Sequence, residues 1–399
     1  MLYLCCLVLL TATDIYEIMA NVVFGRKQGG YKQMSKMNRN QINRIKIRGF
    51  KSIKSTDINF NMLNVLIGAN GAGKSNLISL FVLLQQMVDM KLQNYIGKHG
   101  GPETLLHFGS KETDCIDVDF YFGDNGYSFK LAPTQSNQMM FEGEWFFWKT
   151  TEHRNIGSGH LESKWTTGTN TGIDSYVQPI FKNQKWRVYH FHDTSDTARL
   201  KKSCNINDNI ELFTDAGNLA AFLYRLKESA PDSYWEIIKT IQLVAPFFDE
   251  FVLMPDRLNQ KVIRLEWRNI DSDVIFNPHQ LSDGTLRFIC LATLLLQPSH
   301  LSPETIVIDE PELGLHPYAI KLLASMLQSA SEKKQIIVST QSVELLNEFD
   351  AEDIIVVDHI NDTSEFRRLS EDDLKIWLDD DYSLGELWKK NLLGGRPSK

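Results

Sequence analysis

Cysteine is scarce in this chain: five in 399 residues, at 5, 6, 115, 204 and 290, an odd number with no CxxC pair. That excludes a disulfide framework and a zinc ribbon and fits a reducing compartment, so a cytoplasmic protein is expected. A cationic excess is also missing. Lys and Arg number 42 against 50 Asp and Glu, a net charge of −8, so whole-molecule charge does not point to a polyanionic partner. Long apolar runs are confined to the first dozen residues, MLYLCCLVLLTA. These fall short of the roughly 20 residues that a bilayer-crossing helix needs, so no membrane partner is expected. No Lys or Arg precedes Arg26 to head a signal peptide. A dispensable or mis-started extension, with Met34 or Met37 as the natural start, is the favoured reading of residues 1–40. A signal or anchor segment and a folded element are the alternatives. The chain lacks internal repeats and heptads long enough for a coiled coil.

What is present is enough apolar residue, 43%, to bury a large core in one or two domains. Ile42–Phe60 alternates apolar and polar residues around Gly49, which predicts two short strands. Asn64–Ile67 predicts a buried strand, and the apolar spacing from Ser75 to about Met90 predicts a helix. Residues 115–149 read as a β meander with Gly-Asp-Asn-Gly as a hairpin turn, and 151–172 as a loop. Strands are predicted at 186–192, 251–254 and 262–267, and helices at 218–229 and 234–244. From Thr285 onward apolar runs at 305–309, 336–339 and 354–357 alternate with helices, the pattern of a parallel sheet covered on both faces.

Two motifs carry the chemistry. Gly68–Ser75 reads GANGAGKS between a predicted strand and helix. Gly68, Gly71 and Gly73, with Asn70 and Ala72, let the backbone curl so that its N–H groups face a phosphate at the helix start. Lys74 then reaches the β and γ phosphates and Ser75 ligates Mg²⁺, with Asn76 next in the helix. The second motif, IVIDEPELGLHP, spans Ile306–Pro317. Asp309 ends an apolar strand, where a carboxylate can hold Mg²⁺, and Glu310 beside it can act as general base toward water. Acids at strand C-termini stand where α/β sheets bind ligands.

Between them lies LSDGTLRF, Leu281–Phe288. An LSxG turn ahead of an acidic strand resembles the signature of ABC-type ATPases, and ELGLH, Glu312–His316, resembles their D-loop. FKSIK at Phe50–Lys54 and DEPELGLHP narrow the likeness to the RecF/SMC-like and OLD-like branch, and the tail YSLGELWKKNLLGG is similar to that of a bacterial group of such ATPases. The resemblance covers Ile42 to about Asp358. It implies an α/β ABC-ATPase head with a mainly parallel central sheet, an antiparallel N-terminal β part and an inserted α+β lobe. The expected division is 1–40 extension, 41–92 first part of the head, 93–277 inserted lobe, 278–360 second part of the head and 361–399 tail. It implies ATP and Mg²⁺ as cofactors, ATP hydrolysis, and a homodimer closed by ATP. Ser282, Asp283 and Gly284 would then reach the nucleotide of the opposite copy, Lys51 and Ser52 would approach it in cis, and DNA or an effector protein would be the further partner. Genome maintenance or defence against foreign DNA is the role expected by this analogy. A non-hydrolysing ATP-gated regulator is the alternative, and a transporter's ATPase subunit is disfavoured. One departure stands out: Gln341 occupies the slot of the family's switch histidine, and glutamine cannot carry a proton.

Three features remain. His190, His192 and Asp193 in HFHDTS are metal-ligand types at close spacing, with no second His or Cys cluster to complete a shell; a structural strand end is the favoured reading, with a nucleotide-lobe or partner contact and then a metal site as alternatives. Arg26–Lys54 holds ten Lys or Arg and no acid, read foremost as an arm and the outer face of two strands, with phosphate contact as the alternative. Trp145–Trp148 reads as core of the inserted lobe.

Overall fold

The computed structural model describes residues 41–149, 152–167, 172–182, 186–370, 374 and 382–395. The reading of residues 1–40 lies outside these. Two six-stranded sheets organise the chain. The first is antiparallel, in the order β2-β1-β4-β5-β6-β7, from β1 (Arg44–Phe50), β2 (Ile53–Asn59), β4 (Ile116–Phe122), β5 (Asn125–Pro133), β6 (Met139–Trp148) and β7 (Glu152–Gly157). The second has the order β17-β16-β3-β15-β14-β8. Its members are β3 (Leu63–Ile67), β8 (Trp186–Tyr189), β14 (Thr305–Asp309), β15 (Gln335–Thr340), β16 (Ile354–Ile360) and β17 (Thr363–Arg368). All neighbours in it are parallel except β16 and β17.

The central strands follow from composition. β3 and β15 are buried along their whole length, as β-branched runs covered on both faces must be. Their side chains alternate between two cores. Leu66, Val307, Ile337 and Ile355 face α1 (Lys74–Val88) and the antiparallel sheet, where Leu77, Phe81, Ile47 and Phe120 meet them. Ile67, Ile308, Val338 and Val356 face the other way, onto α6 (Asp283–Leu296) and α7 (Pro317–Ser331). Thus α1, which begins at the Lys-Ser of GANGAGKS, is clamped between the two sheets.

The remaining elements fill the stretch before α6. Helix α2 (Leu92–Lys98) follows α1, α3 (Asp174–Lys182) packs on the antiparallel sheet through Phe181, and α4 (Leu219–Ser229) and α5 (Pro231–Val244) cover the α6 side. Small pairings join β9 (Cys204–Asn205) to β11 (Val262–Ile263), and β10 (Phe248–Phe251) to β12 (Trp267–Asn269) and β13 (Ile275–Phe276). After β15 come the short α8 (Val343–Leu346) and, in the tail, α9 (Leu384–Lys389).

Much of 93–277, expected as an inserted lobe, pairs with the two six-stranded sheets. Its first part, β4–β7, hydrogen-bonds onto β1 and continues the antiparallel sheet of the head, while β8 closes the edge of the parallel sheet beside β14. Among the described residues, β9–β13 pair outside both sheets, and α4 and α5 pack with the parallel sheet's α6-side core. Part of the loop expected at 151–172 is strand β7, whose polar sequence EHRNIG hides it: a sheet edge with little burial needs no apolar alternation. The strands expected at 251–254 and 262–267 shift to β10 and to the pair β11 and β12. Of Trp145–Trp148, expected as core, Phe146 and Phe147 are buried in the antiparallel sheet, Trp145 is half-buried and Trp148 is exposed. Of the described part of the basic run, Lys51 is in the β1–β2 turn, while Arg44, Lys46 and Arg48 lie on the outer face of that sheet, where Lys46 sits opposite Asp57 and Asp119 and Arg48 opposite Asp117. Those cross-strand acids offset it locally. No described helix is long and apolar enough to cross a membrane.

Candidate functional site

Parallel strands in register end together, and that is what assembles the site. Leu66 of β3 pairs with Ser339 of β15, which pairs with Asp309 of β14; one step on, Ile67 pairs with Thr340. The loop leaving β3, the acids leaving β14 and Gln341 leaving β15 thus emerge side by side at the C-terminal edge of the sheet.

Gly68–Gly73 forms the turn between β3 and α1. Gly73 has φ 118°, left-handed backbone that favours glycine, and a Cβ there would collide with the Ser364 side chain. Gly68 packs against the Val357 carbonyl with no room for a side chain. Lys74 is 4% exposed and its Nζ donates to the Gly68 and Ala69 carbonyls at 2.6 and 3.1 Å. An ammonium held under a ring of loop amides, on carbonyls it can exchange for phosphate oxygens, suits a polyanion. Burial lowers the Lys74 pKa, while the charges of Glu310, Asp309 and Glu312 raise it. That coupling is the electrostatic sign that the loop and the acids converge. Asn70, Gly71 and Ser75 are exposed at the mouth of the turn.

The acid side is a hydrogen-bonded cluster. Ser339 Oγ donates to Asp309 Oδ1, and Gln341 Nε2 donates to Glu310 Oε1. Glu310 itself has φ 42°, a left-handed backbone that costs a non-glycine residue about 1–3 kcal/mol. Its N–H donates to the Ser339 carbonyl at 2.9 Å, which fixes that geometry. Glu312 goes beyond its expected place in the D-loop. Its carboxylate is 7% exposed and accepts from Thr340 Oγ1 at 2.5 Å and from the Gln341 N–H at 3.2 Å. Burial holds it above the usual glutamate range. The sequence marks it only by its place two residues past the acid pair; its burial against Thr340 of β15 requires the fold.

Lys51 and Ser52 lie in the β1–β2 turn on the far side of the loop. Asn76 Nδ2 donates to Ser52 Oγ at 2.6 Å, Ser52 Oγ bonds Ser364 Oγ at 2.6 Å, and Ser364 Oγ donates to the Ala72 carbonyl at 2.6 Å. Ser364, on β17, is a tether that sequence reasoning missed, because nothing local ties position 364 to position 72. Lys51 has φ 49° and its carbonyl meets His107 Nδ1 at 2.7 Å. Lys51, Ser52, Asn76, Leu106, Phe108 and His359 border an open cleft of about 530 Å³ beside the loop. Phe108, 62% exposed, offers a free aromatic face there.

Ser282, Asp283 and Gly284 are elsewhere. Ser282 caps α6, its Oγ accepting the Thr285 N–H at 3.1 Å. Ser282 and Asp283 are exposed, and Gly284 packs against the Gly314 carbonyl. Arg287 donates to the Leu313 carbonyl at 2.7 Å and the His192 carbonyl at 3.0 Å, so this helix start is tied to the segment after Glu312. Among the described residues no hydrogen bond joins Ser282 or Asp283 to the 68–75 loop. Cys290, as expected, is buried, and burial pushes its thiol up to about 12.

Comparison with known proteins agrees with this architecture. Residues 63–347 match the family described as "AAA domain, putative AbiEii toxin, Type IV TA system". A "Putative ABC transporter ATP-binding protein" of Methanosarcina acetivorans is 30% identical over 126 residues, 29% of this chain and 44% of that protein. The phosphate import ATP-binding protein PstB of Thermotoga maritima is 21% identical over 196 residues, 44% of this chain and 76% of that protein. The chain therefore spans less than half of the first relative's length. Among solved structures, an SmcHead bound to the C-winged helix domain of ScpA aligns over 83% of this chain and 99% of its own, with TM-score 0.54 and 16% identity. An Smc head with an extended coiled coil, bound to the C-terminal domain of ScpA derived from Pyrococcus furiosus, aligns over 86% and 99%, with TM-score 0.51 and 14% identity. At such identities the likeness establishes the fold: an ABC-class head of the SMC kind. With more than half its length inside the matched family, this chain belongs to the AAA domain, putative AbiEii toxin, Type IV TA system family of P-loop ATPases.

Proposed function

We propose that this chain is an ATP-hydrolysing switch whose heads pair on binding ATP and separate after hydrolysis. The observation that carries this reading is the strand register that brings the Lys74 loop out beside Asp309 and Glu310 at one sheet edge, while Ser282 and Asp283 stand exposed on another element. The 68–73 backbone N–H groups and Asn70 wrap the phosphates, Lys74 leaves its loop carbonyls for the β and γ oxygens, and Asn76, Lys51 and Ser52 flank the nucleotide. Ser75, exposed in the first turn of α1, and Asp309, at the strand end, are an oxygen pair of the kind Mg²⁺ takes; the ion supplies charge neutralisation at the phosphates. Glu310 accepts a proton from the attacking water and Gln341 orients its carboxylate through the amide N–H. Ser282, Asp283 and Gly284 of a second copy close over the γ-phosphate. This cooperation makes hydrolysis depend on pairing.

A role on DNA, in genome maintenance or defence, is the setting this reading favours, with an effector protein as partner. The SMC-like fold and a family whose description includes a toxin of a toxin–antitoxin system support it. One observation favours the alternative of a non-hydrolysing gate: the amide in the switch slot already engages Glu310 and cannot relay a proton. Glu310→Gln decides. With Mg·ATP the variant is expected to double its mass in light scattering and to release phosphate at least about 10²-fold more slowly than wild type. Unchanged mass refutes the pairing, and equal phosphate release refutes the enzyme.

A further inference from the structure

The strand that closes the parallel sheet delivers two histidines to the acid edge. Because β8 runs parallel to β14 with Tyr189 opposite Ile308, residue 190 emerges level with Asp309. His190, His192 and Asp309 each point one ligand atom into a common space, all three within 4.8 Å of one another. Asp193, the acid expected beside the histidines, turns away: its carboxylate accepts from the Ser195 N–H and hydroxyl at 3.1 and 2.7 Å. The third ligand type comes from β14, more than a hundred residues along the chain, which is why spacing alone left the shell incomplete.

We propose that His190, His192 and Asp309 form a binding site for a divalent first-row transition metal, distinct in ligand chemistry from an all-oxygen Mg²⁺ site. A point equidistant from three atoms at that spacing lies at most about 2.8 Å from each, so side-chain movements under about 1 Å bring imidazole and carboxylate to coordination distance. Two imidazoles with one carboxylate select Mn, Fe, Co, Ni or Zn over Mg or Ca, and leave positions open for water or another oxygen ligand. The surroundings hold the set in place. The His190 N–H donates to the Thr214 carbonyl at 3.0 Å, Arg287 donates to the His192 carbonyl at 3.0 Å, and Ser339 fixes Asp309. Exposure of His190 gives the ion a path in from solvent. Since Asp309 is shared with the acid cluster, occupancy of this site alters the charge beside Lys74 and Glu310. The site does not rest on the ATPase reading.

The test uses the untagged full chain without nucleotide, titrated with Co²⁺ and followed by equilibrium dialysis and by visible ligand-field absorption, which reports nitrogen ligands. Wild type is expected to bind one Co²⁺ per chain. His190→Asn and His192→Asn are each expected to weaken binding at least about 10-fold and lose the absorption, with unchanged circular dichroism and melting. Asp193→Asn and Lys74→Ala are expected to retain both, the latter while losing nucleotide binding, so failure of this proposal and of the ATPase reading are told apart. Absence of stoichiometric Co²⁺, binding indifferent to both histidine variants, or binding only when ATP is present would overturn it.

Discussion

The two halves of the proposed nucleotide site are built differently. Around residues 68–75 and 309–341 most of the inward-facing side chains bond within the chain, although Glu312 Oε2 is buried without a partner among the described residues. Lys74 rests on its own loop carbonyls, Gln341 on Glu310, Ser339 on Asp309, and Ser52 on Asn76 and Ser364. Around Ser282, among the described residues, the hydroxyl makes helix-cap bonds and Asp283 a long ion pair with Lys201 at 3.9 Å, and both side chains remain exposed. A half that is internally complete can bind a ligand alone. A half that offers a capped helix start and an exposed surface works by being presented to something else. The proposed pairing follows from that asymmetry.

The strongest way to break the comparison is Lys74→Ala. If the first half is self-sufficient, removing its one buried ammonium leaves the loop amides without a charge partner for phosphate. ATP affinity should fall by about 10²-fold or more and phosphate release by about 10³-fold, read by isothermal titration and a phosphate assay. Retained affinity would mean that the nucleotide sits elsewhere. Ser282→Arg sharpens the same comparison from the other side. A bulky cation on an exposed cap should leave ATP affinity of the single chain within about 2-fold, yet lower phosphate release by about 10-fold or more and abolish its rise with protein concentration. Equal loss of affinity would instead put Ser282 in the cis site.

How much of this was legible beforehand follows the same divide. The loop, the acid pair and the LSxG turn are short local signals whose chemistry is fixed by adjacent residues, and the parallel strands announce themselves because burial on both faces demands unbroken apolar runs. What stayed hidden depends on register. That Thr340 meets Glu312, that Ser364 meets Ala72, or that His190 stands level with Asp309 comes from pairings across 28, 292 and more than a hundred positions, and no local pattern encodes them. The expected lobe at 93–277 shows the same dependence on pairing. β4–β6 read in sequence as an ordinary meander, and the hydrogen bonds of β4 to β1 join them to the first sheet. The edge strand β7 escaped because its polar residues carry no burial signature.

The smallest expected effect concerns Glu312, a cost of the first half's completeness. Its carboxyl is buried and held above the usual glutamate range, despite lowering hydrogen bonds from Thr340 and Gln341. A carboxyl raised in the folded chain binds its proton more tightly there than in the unfolded one. Its favourable contribution is thus fully present below the ordinary value of 4.5 and is lost as pH rises through the folded value. Glu312→Gln keeps an acceptor for both bonds and removes the charge. The variant should melt with wild type at the acid end and slightly above it near neutral pH, the gap opening upward from pH 4.5 in paired thermal melts. The opposing force is attraction to Lys74, which the Glu312 charge helps to keep protonated. If that attraction outweighs the burial cost, the variant melts below wild type at neutral pH, and Glu312 is then a counter-ion that holds Lys74 in its cradle until phosphate replaces the loop carbonyls.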